Sequence, residues 1–295
     1  MKVAYIIPVY KNPNQVKRLI DVLRYPDSSF YIHIDRKVDP QPFFTLIPDE
    51  QTKDIHFVRN RAEVNWGGFG LTQATLNSLQ EIRQSTPEND LDYLFLLTAQ
   101  DYPLKSNAEI HSFLEENKGN EFISYAKMPT PFWTPAGGIW RVERYHFDGV
   151  RYGRFLRNLA HWFLPKRKPP MGLTAYGGST WWCLTYECVK YVLDFIDKNP
   201  KFVRFYKRVH IPDEMFFSTI IMNSPFADNA VSEITSQYLE DDIRYLRWTG
   251  AHPDVLTKDD LNTLLESDKL FARKFDPSID STILDLIDEI RNRAT

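Results

Sequence analysis

The chain has 295 residues, 43% hydrophobic and 25% charged, enough to bury a sizeable core in one large α/β domain without staples. Its net charge of -3 provides no overall basic field for nucleic acid or an anionic membrane, so neither partner is expected. Two cysteines, Cys183 and Cys188, exclude a disulfide framework and fit buried thiols in a cytoplasmic, reducing setting, and no run of about 18 apolar residues marks a transmembrane helix.

"MKVAYIIPVYKN" carries a short apolar run broken by Pro8, without a small-residue cleavage site, and predicts a first strand. "NQVKRLIDVLR", "FYIHID", "IHFVRN", "LTQATLNSLQEIRQ" and "YLFLLTA" follow, amphipathic stretches between β-branched runs. That order predicts a mixed, mostly parallel sheet flanked by helices, in a single elaborated Rossmann-like domain. Ligands of such sheets bind at the carboxyl ends of the strands, which singles out Pro8, Val9 and Tyr10, then Asp35, then Gln100 and Asp101. Asp35 closes the second strand, where an acid commonly accepts from a ribose or base; His33 reads as a packed strand histidine. The first turn, "PVYKNPN", has no glycine fingerprint for a pyrophosphate, and no Gly-rich loop with Lys-Ser/Thr occurs.

From residue 128 the pattern becomes irregular, with "MPTPFWTPAGGIW" and the basic "PKRKPP" reading as loops of a variable region. Arg141, Arg144 and Tyr145 in "WRVERYHF" are candidates to reach an acceptor, or surface decoration. "GGSTWWCLTYECVKYVLDFIDKN" predicts a strand and then a helix, with Trp181 and Trp182 on opposite faces. Its glycines, like those of "NWGGFGLTQATL", fit close backbone approach, although a Trp beside such a cleft suits a sugar ring.

In "IPDEMFFSTI", Pro212 suits the first position of a helix, which places Asp213 and Glu214 in its first turn ahead of a buried apolar run. Two readings stand: acids decorating a helix start, or a rigidly held general base. "IRYLRW" alternates like a strand, while "KDDLNTLLES" and "STILDLIDEIRNR" have helical spacing. Arg244, Arg247, Arg273 and Lys274 supply cations that a departing diphosphate would need, since no Asp-x-Asp closes a strand; Asp241-Asp242 and Asp259-Asp260 fall in loop or helix-start settings.

Taken in order, "YIIPVY", "IHIDRK", "NWGGFGLTQATL", "FLLTAQDYPLKS", "GGSTWWCL", "IPDEMFFSTII" and "LFARKFD" resemble the core-2/I-branching β-1,6-N-acetylglucosaminyltransferase and peptide-O-xylosyltransferase family. The resemblance runs from residue 2 to about 276. It implies a GT-A fold, with residues 1–127 as the nucleotide-binding half and 128–295 as the acceptor-binding and catalytic half. It also implies a UDP-sugar donor, a glycan acceptor and inversion at the anomeric carbon without a metal. Carried over, it makes Glu214 the catalytic base, places Val9, Tyr10 and Asp35 on the donor, and gives the diphosphate to Lys274 and Arg244, with Arg247 as the fallback; Asp101 joins the donor set as a strand-end acid. Read from the residues alone, Trp181 and Arg144 are the acceptor candidates. The xylosyl branch has an acid where this chain has Thr180, which favours N-acetylglucosamine over xylose as the donor sugar. The animal enzymes have a membrane anchor and many cysteines that are not seen here, so a bacterial member serving polysaccharide assembly is expected. The alternatives are transfer of xylose or another sugar, and a non-catalytic glycan-binding protein.

Overall fold

The computed structural model describes residues 1–47, 53–86, 90–235, 243–250 and 252–293. The Asp241-Asp242 pair lies outside them. The first half alternates as expected: β1 (Val3–Val9), α1 (Pro13–Leu23), β2 (Ser28–Ile34), α2 (Gln41–Leu46), β3 (Ile55–Phe57), α3 (Gly70–Ser85), β4 (Tyr93–Leu96), β5 (Asp101–Pro103), α4 (Asn107–Glu116) and β6 (Glu121–Lys127). Two short helices follow, α5 (Trp140–Glu143) and α6 (Gly153–Phe163), and then β7 (Tyr176–Gly177), β8 (Trp182–Thr185), α7 (Tyr186–Lys198), α8 (Pro200–Tyr206) and α9 (Phe216–Ile221). The chain closes with β9 (Ala230–Glu233), β10 (Arg244–Leu246), α10 (Leu261–Glu266), β11 (Phe271–Arg273) and α11 (Thr282–Arg293).

The main sheet has the order β3-β2-β1-β4-β8-β6-β7, with β9 beside β6. Its β3-β2-β1-β4 half is wholly parallel, and β8 reverses the direction. The fold is therefore mixed α/β with a mainly parallel central sheet. All seven residues of β1 are buried, with Val3, Tyr5, Ile7 and Val9 packed into one core layer and Ala4 and Ile6 into the other. A strand covered on both faces in this way reads as a continuous apolar run, which is what "VAYIIPV" is. Tyr5 stacks between Phe30 and Phe95, with ring centroids 5.3 and 5.4 Å away.

A second sheet, β10-β11-β5, closes over the carboxyl end of β4. Its register sets Arg273 opposite Asp101 and Leu246 opposite Arg273, which brings the C-terminal cations to the strand ends of the first half. Cys183 and Cys188 are buried and form no disulfide.

Two segments differ from the sequence expectation. Residues 140–163, between the two loops expected at 128–140 and 165–170, hold helices α5 and α6 where the irregular pattern predicts no element. The apolar stripe of α6 faces outward, so its periodicity does not mark a core face. The "PDE" segment is a separate 3-10 turn, Pro212–Glu214, and α9 begins only at Phe216. At the break Met215 leaves helical geometry, at φ -136 and ψ -26, and the Glu214 carbonyl accepts from the Gly178 N–H at 2.8 Å. Ahead of the turn, Ile211 lies in the left-handed region at φ 49, rare for a β-branched residue. Its N–H donates to the Gly67 carbonyl at 2.8 Å.

Candidate active site

Two cavities open at the carboxyl ends of β1, β2 and β4. The first, of about 260 Å³, is mostly apolar and is walled by Val9, Tyr10, Lys11, Asp35 and the Thr98–Gln100 turn. The second, of about 370 Å³, is more polar and is walled by Arg141, Thr180, Asp213 and Glu214. Val64, Trp66, Leu71, Trp181 and Arg273 belong to both walls, so the two form one continuous cleft. Gly70 and Gly178 serve the backbone beside it. A Cβ on Gly70 would stand 2.2 Å from the Glu63 carbonyl, and one on Gly178 would stand 1.8 Å from that of Ser124.

Strand ends build the first cavity. Asp35 follows β2, is 5% exposed, and accepts from the Lys37 N–H at 2.9 Å, which leaves its carboxylate fixed at the cavity wall. Tyr10 is 57% exposed at the mouth. Beside it, Lys11 pairs with Asp276 at 2.6 Å, and that lysine with the Ser278 hydroxyl pulls the Asp276 carboxyl down to about 2. His33 is fully buried and pushed down to about 4 by that burial; its Nε2 accepts from the Ala62 N–H at 2.8 Å, as a packed strand histidine does.

The second cavity is built around the "PDE" turn. Glu214 Oε2 accepts from Arg141 Nη1 at 2.6 Å, with the two side chains 25% and 18% exposed. Arg141 in turn lies over the Trp133 ring, 4.7 Å from its centroid. Asp213 Oδ2 accepts from the Thr180 hydroxyl at 2.8 Å. Burial pushes both carboxyls above the usual range; Thr180 opposes this for Asp213, and Arg141 opposes it for Glu214. A glutamate raised in this way is more basic, as a proton acceptor working near neutral pH should be.

The other sequence candidates are distributed unevenly. Trp181 lines the cleft, while its neighbour Trp182 is 1% exposed in the core against Phe217, so the two do face opposite ways. Asp101 is wholly buried and lines neither cavity. It accepts from the Thr98 N–H at 2.6 Å, from Arg244 Nε at 3.1 Å and from Arg273 Nη1 at 3.4 Å. Arg244 is equally buried and also donates to the Leu96 carbonyl at 2.7 Å, so the pair is an internal tie and not a cleft surface. Arg247 is held by Asp254 and Asp260. Lys274 lines neither cavity, and Arg144 stands outside both, its carbonyl accepting from Arg167.

Two residues to which the resemblance gives no role take their places in the cleft. Arg273 lines both cavities, lies 4.4 Å over the Trp181 ring and donates to the Thr98 hydroxyl at 2.7 Å. Arg141, one of three residues in "WRVERYHF" open to reading as decoration, is the partner of Glu214. Arg273 is one of the four C-terminal cations; the local signal separating it from Lys274 is only the alternation of a strand.

Among the described residues, one group could hold a metal ion: His146, Asp148 and His210, with donor atoms within 4.8 Å of one another. His210 Nδ1 and Asp148 Oδ2 are hydrogen-bonded at 2.8 Å, and the His210 N–H donates to the Arg141 carbonyl at 3.3 Å. The group supports the chain just ahead of Ile211 and lines neither cavity of the cleft.

Arg141 gives the site a test. Arg141→Ala removes the positive charge that holds Glu214 down, so the glutamate rises further and the acidic limb of the pH–rate profile moves to higher pH. Arg141→Lys should move it partly back. A purely structural arginine would change the amplitude of the profile and leave its limb in place.

The sequence pattern of the family described as Core-2/I-Branching enzyme matches residues 3–264. Xylosyltransferase 2 of Rattus norvegicus and xylosyltransferase 1 of Homo sapiens are each 26% identical to the chain over 301 residues, or 98% of it. The chain spans about a third of the length of these relatives, 33% and 30% respectively. Among solved structures, mouse xyloside xylosyltransferase 1 in its apo form aligns with 92% of this chain and 96% of its own, at 12% identity and a TM-score of 0.40.

Proposed function

The chain belongs to the core-2/I-branching enzyme family, and from that premise we propose that it moves a sugar from a UDP-sugar to a glycan hydroxyl with inversion at the anomeric carbon. The observation that carries this reading is the continuity of the cleft: a pocket ending on Asp35 joins one ending on Glu214, with Arg273 and Trp181 in both walls. Uridine sits in the first pocket against Val9, Tyr10 and Asp35. The diphosphate lies at the junction, facing Arg273 and Lys11, and the transferred sugar lies over Trp181.

Glu214 takes the proton of the acceptor hydroxyl as that oxygen bonds to the anomeric carbon. The bond from that carbon to the β-phosphate oxygen breaks on the opposite face, and UDP leaves. One displacement inverts the centre. The charge gathering on the leaving phosphate is met by fixed guanidinium and ammonium groups, the work a metal does in Asp-x-Asp enzymes. In this reading Arg273 takes the role that the resemblance gives to Arg244, and Asp101 holds Arg273 instead of touching the donor.

N-acetylglucosamine is the first donor sugar to test, because Glu214 is present and Thr180 stands where the xylosyl branch has an acid. Xylose is the second, since the matched relatives are named xylosyltransferases. The test is a panel of UDP-sugars read by thermal stabilisation and by slow hydrolysis. We expect UDP and one UDP-sugar to raise the melting temperature; if none does, the transferase reading fails in favour of a glycan-binding protein. Activity abolished by EDTA and restored by Mn²⁺ would overturn the metal-independent mechanism.

A further inference from the structure

Helix α6 shows solvent its more apolar side. Phe155, Leu159, Trp162 and Phe163 recur at the spacing of one helix face, and Tyr152 begins the same stripe one turn earlier. Trp162 is 85% exposed, Phe163 78% and Phe155 64%, while Ala160 on the opposite side is buried against the protein. Isolated exposed apolar residues are ordinary, but a contiguous aromatic stripe is not.

The charge around it is one-sided. Residues 149–186 contain six Lys and Arg and no Asp or Glu, within a chain of net charge -3. Arg151 and Arg154 are exposed at the start of the helix, and Lys168 is exposed in the segment after it. An aromatic face bordered by cations is the pattern of a helix lying in a membrane interface, with Trp and Phe among the headgroups and arginines on anionic phosphates. A second copy meeting this face about a two-fold axis would set the same cations against each other, whereas an anionic surface complements them.

We propose that α6 is a membrane-docking element, seating this protein on a bilayer rich in anionic lipid without crossing it. The net charge averages over the whole chain, whereas residues 149–186 collect cations alone, of which Lys166 pairs with Glu143. No helix among the described residues is long and apolar enough to span, and α6, with 11 residues, would lie along the surface. Residues 144–152 alone separate α6 from α5, whose Arg141 holds Glu214, so docking leaves the partner of that glutamate a short stretch of chain from the bilayer surface.

The test is co-sedimentation of the full chain with vesicles of phosphatidylcholine plus phosphatidylglycerol, and with phosphatidylcholine alone. We expect binding to the anionic vesicles that weakens as salt rises. Trp162→Ala with Phe163→Ala should cut partitioning by on the order of tenfold or more, from the lost aromatic burial. Arg151→Gln and Arg154→Gln should each cut it by about fivefold on anionic vesicles only. All four positions are exposed, so circular dichroism and UDP binding should match the parent and separate loss of docking from loss of fold or site. Failure of the parent to bind anionic vesicles at low salt would overturn the proposal. So would a solution dimer, seen by analytical ultracentrifugation, that the aromatic double variant splits.

Discussion

Glu214→Gln is expected to lower sugar transfer by about 10²–10⁴-fold while UDP-sugar affinity stays within about twofold. The substitution keeps the size and shape of the side chain and removes only its ability to take a proton. The amide oxygen of the substituted side chain would still accept from Arg141, which now reaches the carboxylate at 2.6 Å. Asp35 and Lys11 stand in the other part of the cleft and Arg273 in the wall shared by both, so the donor keeps its contacts. Donor binding and transfer must be measured separately, because a base lost from the chemical step lowers kcat and leaves ground-state binding alone. Transfer surviving within a few-fold would remove Glu214 from the base role. The neighbouring Asp213, tied to the Thr180 hydroxyl at 2.8 Å, would then be the next carboxylate to test.

The parts of this site legible in the sequence are those fixed by local rules. Val9 and Asp35 sit at the ends of runs whose composition declares buried strands, and a parallel sheet puts its ligands there. The adjacent Asp213 and Glu214 were visible as a pair, although the turn that holds them was not. Its Glu214 carbonyl accepts from Gly178, 36 residues earlier in number and invisible to any local pattern. The same holds for Arg141, 73 residues from Glu214. Arg273 and Lys274 illustrate a finer limit. Side chains alternate along a strand, so which of two adjacent cations faces the cleft depends on the register of β11 against β5. That register sets Arg273 opposite Asp101. Helix α6 escaped notice for the opposite reason: its apolar stripe exists, but the reading of apolar periodicity as a core face leads to the wrong side.

Asp101→Asn should destabilise the protein by about 3–5 kcal/mol in urea denaturation, the usual cost of removing one partner from a buried ion pair. Asp101 and Arg244 are both wholly buried, and 143 residues of chain separate them. An asparagine can still accept from the Thr98 N–H, yet it withdraws the negative charge that faces Arg244 at 3.1 Å and Arg273 at 3.4 Å. The paired variant, Asp101→Leu with Arg244→Met, should recover much of the loss, because replacing a buried pair by apolar residues is often neutral. Donor affinity separates the structural part from the positioning part. If Asp101 aims Arg273 at the diphosphate, UDP binding stays weak in the paired variant although stability returns, because Arg273 keeps only the Thr98 hydroxyl and the Trp181 face. Full recovery of UDP binding along with stability would show that the buried pair ties β5 to β10 within the second sheet and does nothing more. A single Asp101→Asn variant within about 1 kcal/mol of the parent would remove even that role, since an exposed pair is all that costs so little to break.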